Sequence, residues 1–164
     1  MPEVRKSNMP GHPLEQGALR RGLSLVVCFA ALLPASALAY NFKPTPAEWA
    51  MWPDYCKARY VTTSVGRNSP YVSSVPPAMV ENWKKRLGNT TYTHVHHYCA
   101  SLVYMQRASA AQSNQERNYL LRLAEGDCNY TLKRIPPTSP IYRDVAGHYQ
   151  YVRSVRGTTG VPPK

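Results

Sequence analysis

The chain has 164 residues and a formal charge of +11. That length leaves room for one folded domain and excludes a multidomain architecture. The excess of Lys and Arg suits anionic partners.

The first element is a targeting segment. Arg20-Arg21 precede the apolar run LSLVVCFAALLPASALA, and Ala37-Leu38-Ala39 stand before Tyr40. Basic residues, an apolar stretch and a small-x-small site, in that order, make a secretory signal spanning 1–39 and cleaved after Ala39. Pro34 breaks the run short of the roughly 20 apolar residues a membrane span needs. Residues 1–19 are long for the leading region, which points to Met9 or a later codon as the start. Arg20-Arg21 leave the general secretory and twin-arginine routes both open. Val26-Val27 before Cys28 do not form a lipoprotein cleavage site, so the processed chain is read as soluble and periplasmic, with no membrane span. Removing 1–39 takes away four basic and two acidic side chains and leaves 16 Lys and Arg against 7 Asp and Glu. For an exported protein the matching anions are envelope polymers, phospholipid head groups or acidic proteins, and not nucleic acid. The basic residues are scattered, apart from Lys84-Lys85-Arg86, as on an ordinary solvated surface.

Three cysteines remain, Cys56, Cys99 and Cys128. In an oxidising compartment the simplest account of an odd number is one bridge and one buried thiol. Three pairings are open, and spacing alone permits Cys99 with Cys128.

Residues 40–64 predict an N-terminal capping helix. Pro46 and Glu48 suit its first turn, and Trp49, Trp52, Cys56 and Tyr60 recur at helical spacing, with Pro53 kinking or splitting it. Residues 65–90 read as a Ser-, Gly- and Pro-rich loop followed by a short helix, prolines at its start and Gly88 at its end. A turn over 89–93 then leads into a long helix without Pro or Gly, 93–112. A second helix covers about 115–135, closed by Pro136-Pro137. A last helix runs from Pro140 to Gly157, and 158–164 form a frayed tail. No period-two alternation is sustained, so the fold class is all-α.

The stretch YTHVHHYC, 92–99, lies on the long helix. Val95, Cys99 and Leu102 form a stripe flanked by Tyr98 and Val103, the core side. His94, His97, Ser101 and Tyr104 follow at steps of three, four and three, and stack along a different, polar and aromatic face. His96 falls on a third side with Ala100 and Arg107. The three histidines therefore do not converge. His94 and His97 could pair on a metal, but a closed site needs more ligands, Cys99 points to the core, and His148 is the only other histidine after residue 39. No metal and no cofactor are expected. Cys99 beside histidine suggests a thiolate pair, yet a core-facing helical cysteine is inert. There is no nucleophile elbow or C-x-x-C-H motif, and the few carboxylates have no evident partners. The chain reads as a non-enzyme.

HHYCASLVYMQRA, then LLRLAEGDCNYTLKRIPPTSP, then IYRDVAGHYQYV, resemble the tetratricopeptide repeat. The first helix offers His96, Cys99-Ala100 and Val103; its partner offers Ala124, Cys128, Thr131 and Pro136; Tyr142, Val145-Ala146 and Tyr149 restart the cycle. WPDYC followed by HHYC resembles a group of exported proteobacterial proteins with tetratricopeptide-like repeats after a W-P-x-Y-C helix. The resemblance implies about five helices in a right-handed array of antiparallel pairs, acting as a scaffold for protein segments. It implies a groove lined by His94, His97, Ser101, Tyr104, Met105, Arg143, Gln150 and Tyr151. It also implies a disulfide between Cys56 and Cys99, since both motifs end in cysteine, with Cys128 a buried thiol among Leu120, Ala124 and Leu132. The expected function is a periplasmic adaptor for a protein or peptide partner. The alternative is binding of an anionic envelope polymer, cell wall or exopolysaccharide, through the basic surface.

Overall fold

The computed structural model describes residues 43–158. The expected signal over 1–39 and tail residues 159–164 lie outside them. Among the described residues the protein is all-α, with five helices and no strand: α1 Pro46–Met51, α2 Asp54–Tyr60, α3 Pro77–Ala110, α4 Asn114–Leu132 and α5 Tyr142–Thr158. The helices α3, α4 and α5 pack antiparallel, and α2 lies against α3. No helix among these residues is long and apolar enough to cross a membrane.

Local chemistry sets most boundaries. Thr45 caps α1: its hydroxyl accepts from the Glu48 N–H (3.3 Å), and the Glu48 carboxylate accepts from the Thr45 N–H (2.7 Å). This reciprocal pair satisfies two amides a helix start would leave orphaned. Pro53 splits the first helical stretch instead of kinking it, because Trp52 takes an extended conformation before the proline. Two 3-10 turns, Gly66–Asn68 and Val72–Ser74, shape the loop that follows. Ser113 caps α4 by accepting from the Glu116 N–H at 3.1 Å.

The expected turn over 89–93 is absent. Gly88 alone breaks the helix, at φ 72° and ψ 158°, a backbone region essentially reserved for glycine, and the chain re-enters helix at once. Packing explains this: Thr91 and Tyr92 are buried, and the Tyr92 hydroxyl donates to the Ala58 carbonyl at 2.9 Å. The first turn after Gly88 is held against α2 and cannot open into a loop.

The main core gathers Trp49, Trp52, Cys56 and Tyr60 against α3 and extends to Cys128 of α4 and Val145 of α5. Trp49, Trp52 and Tyr60 meet with ring centroids 5.5 to 5.8 Å apart, and Trp49 stacks on Tyr71 at 4.4 Å. Such pairs stabilise by about 0.5–1.5 kcal/mol each beyond their buried area. The Trp52 indole N–H donates to the Cys99 carbonyl at 3.1 Å. Beside it, Cys56 and Cys99 form a disulfide with 5.6 Å between Cα atoms, the pairing that the resemblance implies. Cys128 is a buried free thiol. A second cluster, Met105, Ala108, Leu120, Leu121, Ala124 and Val152, joins the far end of α3 to α4 and α5.

Candidate functional site

The face of α3 that carries His94, His97, Ser101 and Tyr104 packs against α4. His97 Nδ1 lies 2.8 Å from an Asp127 carboxylate oxygen, and the His97 ring sits on Tyr130 with centroids 3.7 Å apart. His96 adjoins His97 at 4.3 Å, while the Arg134 guanidinium covers the Tyr130 ring at 3.6 Å. The Tyr130 hydroxyl reaches His94 Nδ1 at 3.5 Å. These side chains make a continuous row along the α3–α4 seam, in the order His96, His97, Tyr130, Arg134. Tyr104 stands half-buried farther along, within the fields of Asp127, Arg107 and Tyr119.

Deeper in the seam, Ser101 is fully buried. Its hydroxyl donates to the Ala124 carbonyl at 2.8 Å. Cys128 Sγ at 3.1 Å and His148 Nε2 at 3.2 Å also approach it. A hydroxyl has one proton to give, so with that proton on Ala124 the thiol and the imidazole are the donors. His148 therefore carries a proton on Nε2. This network welds α3, α4 and α5 at one point. It also leaves Cys128 inert, because burial pushes its thiol pKa up to about 12, with Asp127 adding to the rise and the Ser101 bond opposing it.

The eight expected groove positions do not share one open face. His97, Ser101 and Met105 are buried, sealed into the contacts of α3 with α4 and α5. His94 and Tyr104 are half-buried. Arg143, Gln150 and Tyr151 are exposed on α5, Tyr151 at 59 %. The carboxylates meet cationic partners: Asp127 meets His97, Glu48 meets Arg107, and Glu125 meets Arg156 and Arg153. Asp127, Tyr130 and Arg134 were not singled out from the sequence. The signal for Asp127 and Tyr130 is their spacing of three along α4, which places them on one helical face; Arg134 stands in the turn that follows the helix.

The electrostatics of the seam follow from burial and crowded positive charge. Burial, then the charges of Arg134, His97 and Arg59, hold His94 below the ordinary histidine range. Burial, with His97, Arg59 and His94, takes His96 down to about 3, although its bond to the Thr93 carbonyl opposes this. Burial also lowers His148. Burial raises the Asp127 carboxyl, against the opposing pull of His97. Among the described residues no group of three or more His, Cys, Asp or Glu is placed to hold a metal ion; the Nδ1 atoms of His94, His96 and His97 turn to Tyr130, Thr93 and Asp127.

No protein-family model matches the chain, and neither a curated protein nor a solved structure matches it.

Proposed function

We propose that this protein is a helical scaffold of the cell envelope that binds a protein or peptide partner along the α3–α4 seam, with α3, α4 and α5 serving as a tetratricopeptide-like array. The observation that carries this reading is the row that runs from the half-buried His96 over the buried His97 to Tyr130, on α3 and α4, and ends at the exposed Arg134 in the turn after α4. Aromatic rings and an arginine held in place are the side chains that dominate protein interfaces, because little conformational entropy is lost on contact. Of the groove positions implied by the resemblance, His94 and Tyr104 are half-buried on this face, and Arg143, Gln150 and Tyr151 offer a separate contact on α5. Export and a disulfide-bearing fold agree in compartment, since bridges persist where thiols are oxidised.

The test is capture from an envelope extract, with the seam variant Tyr104→Ala/Arg134→Ala and the α5 variant Tyr151→Ala beside the wild type. One partner retained at high salt, lost with the seam variant while helix content and melting hold, supports the reading. Capture indifferent to both variants ends it.

A second reading, binding of an anionic envelope polymer, has its own support. Arg59 and Arg134 both impose positive charge on His94, and Lys133 is exposed next to Arg134. Its signature is capture of polymer that weakens steeply as salt rises.

A further inference from the structure

Between α2 and the loop that follows it lies a cavity of about 380 Å³, lined among others by Lys43, Tyr60, Ser64, Asn68, Pro70 and Tyr71. This volume falls in the roughly 300–1,000 Å³ range of small-ligand sites.

The cavity is held in shape. Thr63 Oγ1 donates to the Tyr60 carbonyl (2.7 Å) and accepts from the Gly66 N–H (2.9 Å). Gly66 then lies so close to the Tyr60 carbonyl that no Cβ fits. On the opposite wall the Tyr71 ring is stacked on Trp49 at an interplanar angle of 10°, and its hydroxyl donates to the Pro44 carbonyl at 3.0 Å. Neither wall can fold inward without breaking these contacts.

The lining defines the ligand's chemistry. The half-buried Tyr71 offers apolar contact, Ser64 and Asn68 both donate and accept, and Lys43 is the charged residue, with no carboxylate among the lining residues described. Alternating hydroxyls over a ring-shaped apolar surface match Ser and Asn beside Tyr, and an acid group matches Lys43. We propose that this cavity binds one acidic sugar residue, a pyranose bearing a carboxylate, from an envelope polysaccharide. The pyranose lies against Tyr71, its hydroxyls exchange hydrogen bonds with Ser64 and Asn68, and its carboxylate meets the Lys43 ammonium. The ligand's charge rests on the anionic-polymer reading; the cavity itself is distinct from the α3–α4 seam.

The test is a titration followed by amide NMR, at physiological ionic strength, on the chain as isolated from cells with its disulfide intact. The probes are galacturonic acid, its di- and trisaccharide, and neutral galactose. The expected result is saturable shifts at Ser64, Asn68 and Tyr71 with the acidic sugars. Lys43→Gln, on an exposed side chain, should weaken them about tenfold, the loss of one charge-assisted contact, without altering galactose. Asn68→Ala, on an exposed side chain, should leave the melting temperature unchanged while weakening the acidic sugars, which separates a ligand contact from a change in the fold. Equal affinity for galactose, absence of saturable shifts, or shifts confined to Lys84-Lys85-Arg86 overturns the proposal. So does binding seen only after residues 1–42 are removed. Polymer captured in a salt-sensitive manner, with both cavity variants behaving as wild type, would refute the cavity and leave the polymer reading standing.

Discussion

Replacing Glu48 tests how α1 is tied to the rest of the domain. Its carboxylate caps α1 through the Thr45 N–H and, 59 residues along the chain, receives Arg107 through two bonds, Nε at 2.7 Å and Nη2 at 3.0 Å. Glu48 is 9 % exposed, so both roles are played largely out of water. Losing a cap costs about 1 kcal/mol, and losing a charge-assisted bond to a part-buried guanidinium about 2 kcal/mol more. Glu48→Ala should therefore destabilise by about 3 kcal/mol, a shift of roughly 12 °C in melting for a domain of this size. Glu48→Gln keeps an oxygen for Thr45 and should cost about 2 kcal/mol. Urea denaturation of both variants, with Arg107→Met completing a double-mutant cycle, gives the partition. The pH dependence adds a check. Burial works against ionisation of Glu48, but the bonds from Arg107 and Thr45 and the Arg107 charge outweigh it and hold the carboxyl below 4.5. A group depressed in the folded state stabilises above its unfolded pKa and loses that contribution as pH falls through the folded value; Glu48→Gln should remove this acid dependence. An alanine variant within about 0.5 kcal/mol of wild type, or a coupling energy near zero, would refute the reasoning.

The disulfide closes a loop with a sequence separation of 43, so Cys56→Ser/Cys99→Ser should lose about 4 kcal/mol in the chain-entropy model; calorimetry showing under about 1 kcal/mol would contradict that model here. Gly88→Ala meets no atom within 4 Å, yet at φ 72° it should cost about 1–3 kcal/mol from backbone strain alone, and an unchanged urea midpoint would mean that the break relaxes. His94, His96 and His148 are all held below the ordinary value of 6.5 in the folded state. Below that pH the unfolded chain binds more protons, so the urea midpoint should fall as pH drops from 6.5 towards 4, and a flat profile across that window would show that these imidazoles are not buried as described.

Local signals in the sequence determined the helical class and most helix ends. Proline and glycine punctuation marked α2, α4 and α5 because these residues restrict or free the backbone wherever they stand, and the recurrence of Trp49, Trp52, Cys56 and Tyr60 marked a buried face that is indeed in the core. The cysteine pairing came from the resemblance, since periodicity alone left Cys99 free to join Cys128. Tertiary structure decided the rest. Helix α3 is covered on two sides, by α2 and by α4, so the polar face of His97 and Ser101 is interior; a helix sandwiched between neighbours can bury polar side chains when Asp127, Ala124 and His148 supply their hydrogen bonds. Those partners lie 23 to 47 residues away along the chain, and Arg107 lies farther still from Glu48. No periodicity records such a pairing, because it depends on where whole helices come to rest; the same packing keeps residues 89–93 helical after the break at Gly88, where the sequence alone reads as a turn.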